Sequence, residues 1–488
     1  MFDKLKQLSM DTAIYGISTM IGRFLNFLLI PFFTNIFIPS EYGIVQILFA
    51  YIAILNIFYV YGMDSAFLKF AAFKDVADEK DNFSTPYISV FSSSLLFSLL
   101  IVLFKDSISS KLGIPAEYDY LVYASAAIIF LDSNTSIPFL TLRLNRNAKK
   151  FSLFKILNIV TNLTLNLFLI LVMHWGIEAI LISNIISSFV SLVLLLPTII
   201  KYFRFRINFT LFKRLIKFGF PYLPAGLAIM AVQVIDVPIL ERMTDLKTVG
   251  IYKANYKLGI FMMLFVNMFQ YAWQPFFLQN AKEKNAKEMF SKVFTYFTLV
   301  GSVIVVGLSL FIADLAHISV AGFTLIGSAY WSGLDIVPII LFAYLINGAY
   351  VIFSAGIYIE EKSFYVPFIA GLGALVNIVA NIILIPVLNI YGAAIATLAA
   401  YLVLSLGYYI VTQKVYFIKY EWDKIAKIMM GVFLSALIYY TFSFETYSLE
   451  LFLKIILLIA FICYLYFIAV DKKEIAVIRT KLKEKRGK

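Results

Sequence analysis

Apolar residues run through this chain in long, nearly unbroken blocks separated by short polar stretches. Fourteen blocks can be drawn, at about 11–36, 42–66, 86–104, 119–141, 152–173, 176–200, 217–240, 250–278, 291–316, 332–358, 364–388, 390–413, 425–443 and 449–470. A helix needs about 20 residues to cross the roughly 30 Å hydrocarbon core of a bilayer, and each block is of that order. Barrel strands would be about 10 residues long and would alternate strictly; these blocks do neither. The pattern predicts an all-α polytopic membrane protein with about 14 transmembrane helices. The first block is expected to be a span and not a cleaved leader, because its apolar part is long and no small-residue cleavage site follows.

The polar stretches carry a second pattern. With the amino terminus placed inside, the outer loops hold four cations, Lys105, Lys111, Arg242 and Lys247. Four more, Arg23, Lys253, Lys257 and Lys454, are assigned to spans, and the remaining 33 of the 41 Lys and Arg lie in inner loops and ends or in the first residues of blocks at their inner edges, as Lys155, Lys217, Lys292 and Lys427 do. That asymmetry marks cytoplasmic loops. Adding or removing one helix scrambles it, so the distribution supports fourteen spans with both termini cytoplasmic. Two basic stretches read as helices lying in the membrane interface. One is Phe209–Phe218; the other is the tail around Ile475, Val477, Ile478 and Leu482.

Composition narrows the function. The 488 residues are 61% hydrophobic and 14% charged, with a mean hydropathy of +0.88. Soluble domains are about 25% charged. A soluble enzyme, a nucleic-acid-binding domain and a disordered scaffold are excluded, and the net charge of +12 reads as topology and anionic-lipid contact. The single Cys463 and the two histidines, His174 and His317, leave no disulfide framework and little for a metal. No phosphate-binding loop of the G-x-x-x-x-G-K-[ST] type is present. The longest stretches between blocks, about 15–20 residues, are too short for a soluble domain. No catalytic residue, metal or cofactor is expected.

The second half echoes the first. Asn162 and Asn166 are followed by Gly176, as Asn377 and Asn381 are by Gly392; Pro31 and Gly43 align with Pro238 and Gly250 at an offset of 207. An offset of six helices preserves the direction of each helix. The repeat is therefore parallel, about an axis along the membrane normal, the architecture of transporters that rock two lobes about a central site. The expected organisation is an amino-terminal lobe of helices 1–6 (1–208) and a carboxy-terminal lobe of helices 7–12 (209–420), the latter preceded by the interfacial helix. Helices 13 and 14 (421–470) and a basic cytoplasmic tail (471–488) follow.

The chain resembles the polysaccharide transporter family, the O-antigen and exopolysaccharide flippases, of the superfamily that also holds multidrug extruders and lipid II flippases. The residues that carry the resemblance are Thr12–Pro31 with Pro39-Ser40-Glu41-Tyr42-Gly43, and Leu215-Ile216-Lys217-Phe218-Gly219-Phe220-Pro221-Tyr222-Leu223-Pro224. Val249-Gly250-Ile251-Tyr252 with Trp273-Gln274-Pro275-Phe276, and Asn377 to Thr397, complete it. The resemblance implies export of an undecaprenyl-diphosphate-linked oligosaccharide across a bacterial cytoplasmic (inner) membrane, with a polysaccharide polymerase and glycosyltransferases as partners. It also implies that helices 1, 2, 7 and 8 line the cleft between lobes.

Ionisable residues within spans are costly and normally face a cavity or a partner. Arg23 lies near mid-membrane, and Lys253 and Lys257 are i and i+4 on helix 8. Together they are expected to form a cationic patch that receives the diphosphate, for which guanidinium and ammonium groups are suited. The alternatives are that Arg23 pairs with Asp236 and only joins helices, and that Lys253 snorkels to the headgroups. Asp132, Asp236 and Asp64 are candidates either for ion pairing or for coupling transport to a proton or sodium gradient. Pro31, Pro221, Pro224 and Pro238 are candidate hinges, although Pro221 and Pro224 also suit a helix start. Lys454 is expected to pair with Glu450 at i,i+4. Asn162, Asn166, Asn377 and Asn381 are expected to serve as interhelical hydrogen bonds. A drug or cation antiporter on the same fold would favour an acidic cavity, and a lipid II flippase stands beside the oligosaccharide carrier. A membrane glycosyltransferase or polymerase would need a larger ordered loop.

Overall fold

The structure is a computed structural model that describes residues 20, 22, 24–72, 77–442 and 446–469. Its helices begin with α1 (Ile30–Ile36), α2 (Pro39–Val60), α3 (Met63–Ala72), α4 (Glu79–Leu103), α5 (Lys105–Lys111), α6 (Leu121–Leu144), α7 (Ala148–Leu167) and α8 (Glu178–Tyr202). The second half holds α9 (Phe209–Gly219), α10 (Tyr222–Val234), α11 (Asp236–Met243), α12 (Leu246–Tyr256), α13 (Ile260–Asn280), α14 (Ala286–His317), α15 (Val337–Ile359), α16 (Tyr365–Leu388) and α17 (Ile390–Val415). Two more, α18 (Trp422–Thr441) and α19 (Tyr447–Ala469), close the described chain. Among the described residues, eleven helices are long and apolar enough to cross a membrane, and the bent pair α9 and α10 makes a twelfth. The first predicted span lies largely outside the described residues; its end is the apolar helix Phe24–Ile36. The eighth is broken into α12 and α13 by a tight 3-10 turn at Lys257–Gly259. The architecture is compatible with fourteen spans.

Several boundaries differ from the apolar pattern, each for a local reason. The second block ends early because Tyr61 and Gly62 are left-handed (φ 36° and 75°), and the chain restarts as α3. The seventh block is divided in three, with a 42° bend between α9 and α10 at Phe220–Pro221. The interfacial stretch is helical as α9, capped by Asn208, whose side chain accepts from the Leu211 amide at 3.1 Å. Its apolar face is buried: Leu211 and Leu215 join Met63, Phe67 and Phe83 in a small cluster belonging to the first half of the chain. The tail predicted to be amphipathic lies outside the described residues.

Within the first half α4 packs on α6, α6 on α8, and α7 on α8; within the second, α16 and α15 both pack on α17. The halves meet along α2 and α12. The repeat is visible in detail. Asn166 Nδ2 donates to the Asn162 carbonyl (2.8 Å) and Oδ1 (3.1 Å), and Asn381 Nδ2 donates to the Asn377 carbonyl (2.8 Å) and Oδ1 (2.9 Å). Pro31 and Pro238 each stand in the first turn of a helix, α1 and α11, that follows a break, at Leu28–Leu29 and at Ile235. Gly43 and Gly250 face one another where α2 crosses α12. A Cβ on Gly43 would lie 1.8 Å from the Leu246 carbonyl oxygen, and one on Gly250 would lie 1.9 Å from that of Pro39. The offset of 207 relates Pro39 to Leu246 as it relates Gly43 to Gly250, so the two contacts are images of one another.

The helices α18 and α19 pack together and against α14. Buried Lys454 holds them there. Its ammonium meets Glu450 at 2.7 Å, the expected pair, and also Asp314 of α14 at 2.8 Å.

Candidate functional site

A cavity of about 760 Å³ opens among α2, α6, α7 and α8 and is closed on the other side by Lys257. Its charged lining is Asp64, Asp132, Lys155 and Lys257. Asparagines 26, 56, 158, 162, 166 and 184 supply most of the remaining polarity. A neighbouring space of about 330 Å³ shares Asn56, Asp64, Asp132 and Ser136 with it and extends to Tyr222 and Gly226 of α10. The larger space lies in the first half and meets the second only at Lys257, whereas the smaller lies between the halves, against α10.

Helix ends shape the walls. Lys257 stands at the end of α12, where the 3-10 turn begins, and lines the cavity. Its Nζ donates to Tyr42 Oη at 2.7 Å. Tyr42 is fully buried and meets Tyr330 edge-on, with ring centroids 6.0 Å apart. Asp132 Oδ1 accepts from Ser188 Oγ at 2.6 Å and lies in the field of Lys155. Lys155 rests over the Phe139 ring, 4.1 Å from its centre. Asp64 Oδ1 accepts the Ser65 amide at 2.7 Å. Among the described residues neither Lys155 nor Lys257 makes an ion pair within 4 Å; Lys155 feels Asp132 at longer range, and Lys257 is hydrogen-bonded only to Tyr42.

The predicted cationic patch is redistributed. Arg23 lies outside the described residues, although Asn26, three positions on, lines the cavity. Lys253 and Lys257 do not share it: Lys253 does not line it but stacks on Tyr256, 4.4 Å from the ring centre, within the field of Asp236. The physical reason is the partner each ammonium meets: Lys253 lies over the Tyr256 ring in the field of Asp236, and Lys257 reaches Tyr42 Oη. Asp236 is 3% exposed, lies away from the cavity, and neither carboxylate oxygen accepts a hydrogen bond of normal geometry among the described residues. Tyr252, Tyr256 and Tyr401 lie within reach of its charge. Of the candidate hinges, Pro221 immediately precedes α10 and Pro224 is in its first turn, both positions that a helix start favours.

The residue that sequence reasoning missed is Lys155. The charge pattern groups it with the inner-loop cations, but it stands about two turns into α7. Its spacing from Asn158, Asn162 and Asn166 was the available signal, since all four fall on one helical stripe.

Backbones meet across the seam at two places. Gly43 and Gly250 form one. At the other, a Cβ on Gly62 would lie 2.1 Å from the Gly219 carbonyl oxygen, and one on Gly219 would lie 2.7 Å from that of Gly62. A hairpin, β1 (Ser319–Val320) and β2 (Phe323–Thr324), is bonded to the end of α1. Thr324 donates through its amide (3.2 Å) and hydroxyl (2.8 Å) to Asn35 Oδ1, and Asn35 Nδ2 donates to the Thr324 carbonyl at 2.7 Å. Tyr330 Oη donates to the Phe37 carbonyl at 2.8 Å, and the Gly327 amide donates to Thr34 Oγ1 at 3.0 Å.

A sequence model of the family described as polysaccharide biosynthesis protein matches residues 8–281. No curated protein matches the chain. Among solved structures, the lipid II flippase MurJ in an inward closed conformation aligns with a TM-score of 0.70 at 18% identity, covering 93% of this chain and 99% of that one. An inward-facing multidrug resistance MATE transporter of the MOP superfamily gives 0.65 at 12% identity, covering 83% and 97%. A MATE transporter of Vibrio cholerae gives 0.57 at 15% identity, covering 84% and 96%. At these identities the likeness is one of fold.

Proposed function

The chain belongs to the polysaccharide biosynthesis protein family, and from that premise we propose that it is a flippase for an undecaprenyl-diphosphate-linked oligosaccharide. It carries this lipid across the bacterial cytoplasmic membrane by alternating access, in the making of a cell-surface polysaccharide such as an O-antigen. Both termini are cytoplasmic, and the polymerase and glycosyltransferases of the same process are its partners. One observation carries the reading: a polar cavity at the seam of a membrane-spanning fold, with Lys257 and Lys155 lining it and no ion pair made by either among the described residues. Two unpaired ammonium groups suit an anionic headgroup, and a diphosphate supplies the charge and acceptor oxygens to satisfy both. Pocket volumes for small ligands run from about 300 to 1,000 Å³, so the cavity admits a diphosphate with a short length of sugar.

Of the expected substrate cations Lys257 is proposed to touch the headgroup together with Lys155, Arg23 remains a proposed member, and Lys253 stands behind them, outside the cavity. Asp132 and Asp236 are proposed to couple transport to a proton or sodium gradient, Asp132 from the cavity and Asp236 from within the second lobe. Asp64, which lines both spaces, is proposed for ion pairing. Rocking of the lobes bends the chain at the paired breaks before Pro31 and Pro238.

The test is transport by reconstituted protein. Lys257→Ala is expected to lower flipping of a diphosphate-linked glycolipid at least about tenfold, the scale of a charge-assisted hydrogen bond of roughly 1.5–3 kcal/mol. Lys257→Arg should retain part of the rate. Full activity of Lys257→Ala at normal protein level would refute the assignment.

A further inference from the structure

Two helices of the first half turn a polar stripe toward the cavity. Asn158 and Asn162 on α7 are i and i+4, and Asn184, Ser187, Ser188 and Ser191 on α8 are i, i+3, i+4 and i+7. Each spacing places its residues on one helical face.

The repeat tells which of this polarity the fold requires. Asn162 and Asn166 have counterparts in Asn377 and Asn381 that make the same bonds, so that pair belongs to the architecture. The rest has no counterpart. At the offset that aligns Asn162 with Asn377, Lys155 and Asn158 correspond to Ala370 and Gly373. At the offset that aligns Gly176 with Gly392, Asn184, Ser187, Ser188 and Ser191 correspond to Ala400, Val403, Leu404 and Gly407. Helices α16 and α17 thus make the same packed pair with small and apolar residues. Polar groups in a membrane-spanning helix must be satisfied by partners or water, and one copy of the repeat dispenses with them.

The stripe also has a chemical sense. Most of its amide donors are used inside the lobe: Asn158 Nδ2 donates to the Ser187 carbonyl (2.8 Å) and Ser191 Oγ (2.9 Å), and Asn184 Nδ2 gives one of its two hydrogens to the Ile180 carbonyl (3.0 Å). The Oδ1 atoms of Asn158 and Asn184 accept nothing among the described residues. The wall therefore offers neutral acceptors to a ligand rich in O–H and N–H donors. Asn184 and Ser191 are about 10 Å apart along the helix, too far for one coordination shell and suited to a short row of sugar hydroxyls.

We propose that this stripe of α7 and α8 is the glycan subsite: the first sugars lie against Asn158 and Asn184 while Lys257, across the cavity, holds the diphosphate. The proposal rests on the flippase reading and assigns the sugar half of the substrate to the amino-terminal lobe.

The experiment compares binding of undecaprenyl diphosphate, bare or carrying one N-acetylhexosamine or one hexose, to purified full-length protein in nanodiscs. Wild type should bind at least one glycosylated lipid about tenfold tighter than the bare one, the factor expected of two or three hydrogen bonds. Asn158→Leu and Asn184→Ala should erase that preference and leave the bare lipid unchanged, whereas Lys257→Ala should weaken all three. Asn184→Ala breaks no bond between helices, so its folding is secure even where Asn158→Leu fails. A sugar preference that survives in Asn184→Ala, or no preference in wild type, overturns the subsite. Failure of wild type to bind any of the three lipids overturns the flippase reading itself.

Discussion

Replacing Gly43 by alanine tests the joint between the two halves. The new Cβ would stand 1.8 Å from the Leu246 carbonyl oxygen and 2.7 Å from its carbon. A carbon meets a carbonyl oxygen at about 3.3–3.6 Å at closest, so α2 and α12 would have to part by about 1.5 Å. The obstructing atoms are backbone, and Tyr42, Ile44, Val45, Ile47 and Leu48 around Gly43 are buried, so no flexible side chain can absorb the displacement. Overpacking of this kind costs about 1–3 kcal/mol in protein cores. Gly250→Ala should cost a similar amount, because its obstruction by Pro39 is the repeat image of the first. The double variant should cost less than the sum: once one methyl has parted the helices, the second finds its space partly made. Thermal unfolding of purified protein in detergent, followed by tryptophan fluorescence, measures all three. Gly371→Ala is the control, since nothing lies within 4 Å of a Cβ there. Unchanged midpoints for Gly43→Ala and Gly250→Ala, or strict additivity in the pair, would refute the proposed crossing.

Lys454→Met should strip Asp314 and Glu450 of their shared cation at a cost of about 3–5 kcal/mol, the range for a broken buried pair; enhanced proteolysis between α18 and α19 would report it. Asn35→Ala removes all three hydrogen bonds to Thr324 and should raise the labelling rate of a cysteine placed at Phe323, whose ring now meets Phe32 at 5.1 Å; an unchanged rate would mean the hairpin is not held there. Gly62→Ala should be worse tolerated than Gly43→Ala, because a left-handed φ of 75° adds about 1–2 kcal/mol to the clash. Glu421, just before α18, is pushed up by burial, but hydrogen bonds from Lys424 (2.8 Å) and Thr295 (2.7 Å) outweigh this and hold its carboxyl below the ordinary range. A depressed carboxyl stabilises the fold above its unfolded value and loses that contribution as pH falls through the folded one. Glu421→Gln should therefore lower the thermal midpoint at neutral pH and flatten its decline below about pH 4.3.

The seam has different chemistry at its two backbone contacts. At Gly43 and Gly250 it is backed by hydrogen bonds from the hairpin and Tyr330, all directed to the end of α1. At Gly62 and Gly219 the backing is aromatic: Phe70 meets Phe218 at 5.9 Å, and Lys69 sits 3.9 Å over the Phe218 ring. Hydrogen bonds are directional and lapse over a small rotation, whereas an edge-to-face ring contact is less exacting in geometry. Gly–Gly crossings at both places let the backbones touch with no side chain between them, so a small rotation of one half can part either contact.

Much of this was legible in the chain because the bilayer imposes length. A helix must be about 20 apolar residues whatever its neighbours are, so the spans show in composition alone, and the aligned Pro31 and Pro238, Gly43 and Gly250 showed which helices correspond. Breaks were harder to read. Lys257 ends α12 although the apolar pattern runs on to 278, because a 3-10 turn keeps the same residues in nearly the same places and leaves periodicity almost intact. Polar placement was hardest. Lys155 and Lys150 are both cations near the start of one block, and only the fold shows that the first has entered a cavity wall. Asp314 was silent for the same reason: its partner Lys454 is 140 residues away, and its i,i+4 neighbour Glu450 already explained that lysine. A repeat supplies what a single span cannot, because it sets each polar residue beside a copy of its own position. Where the copies agree, as in the paired asparagines of α7 and α16, the residue serves the architecture; where they part, as at Asn158 and Gly373, the difference has to be sought in what only one lobe touches.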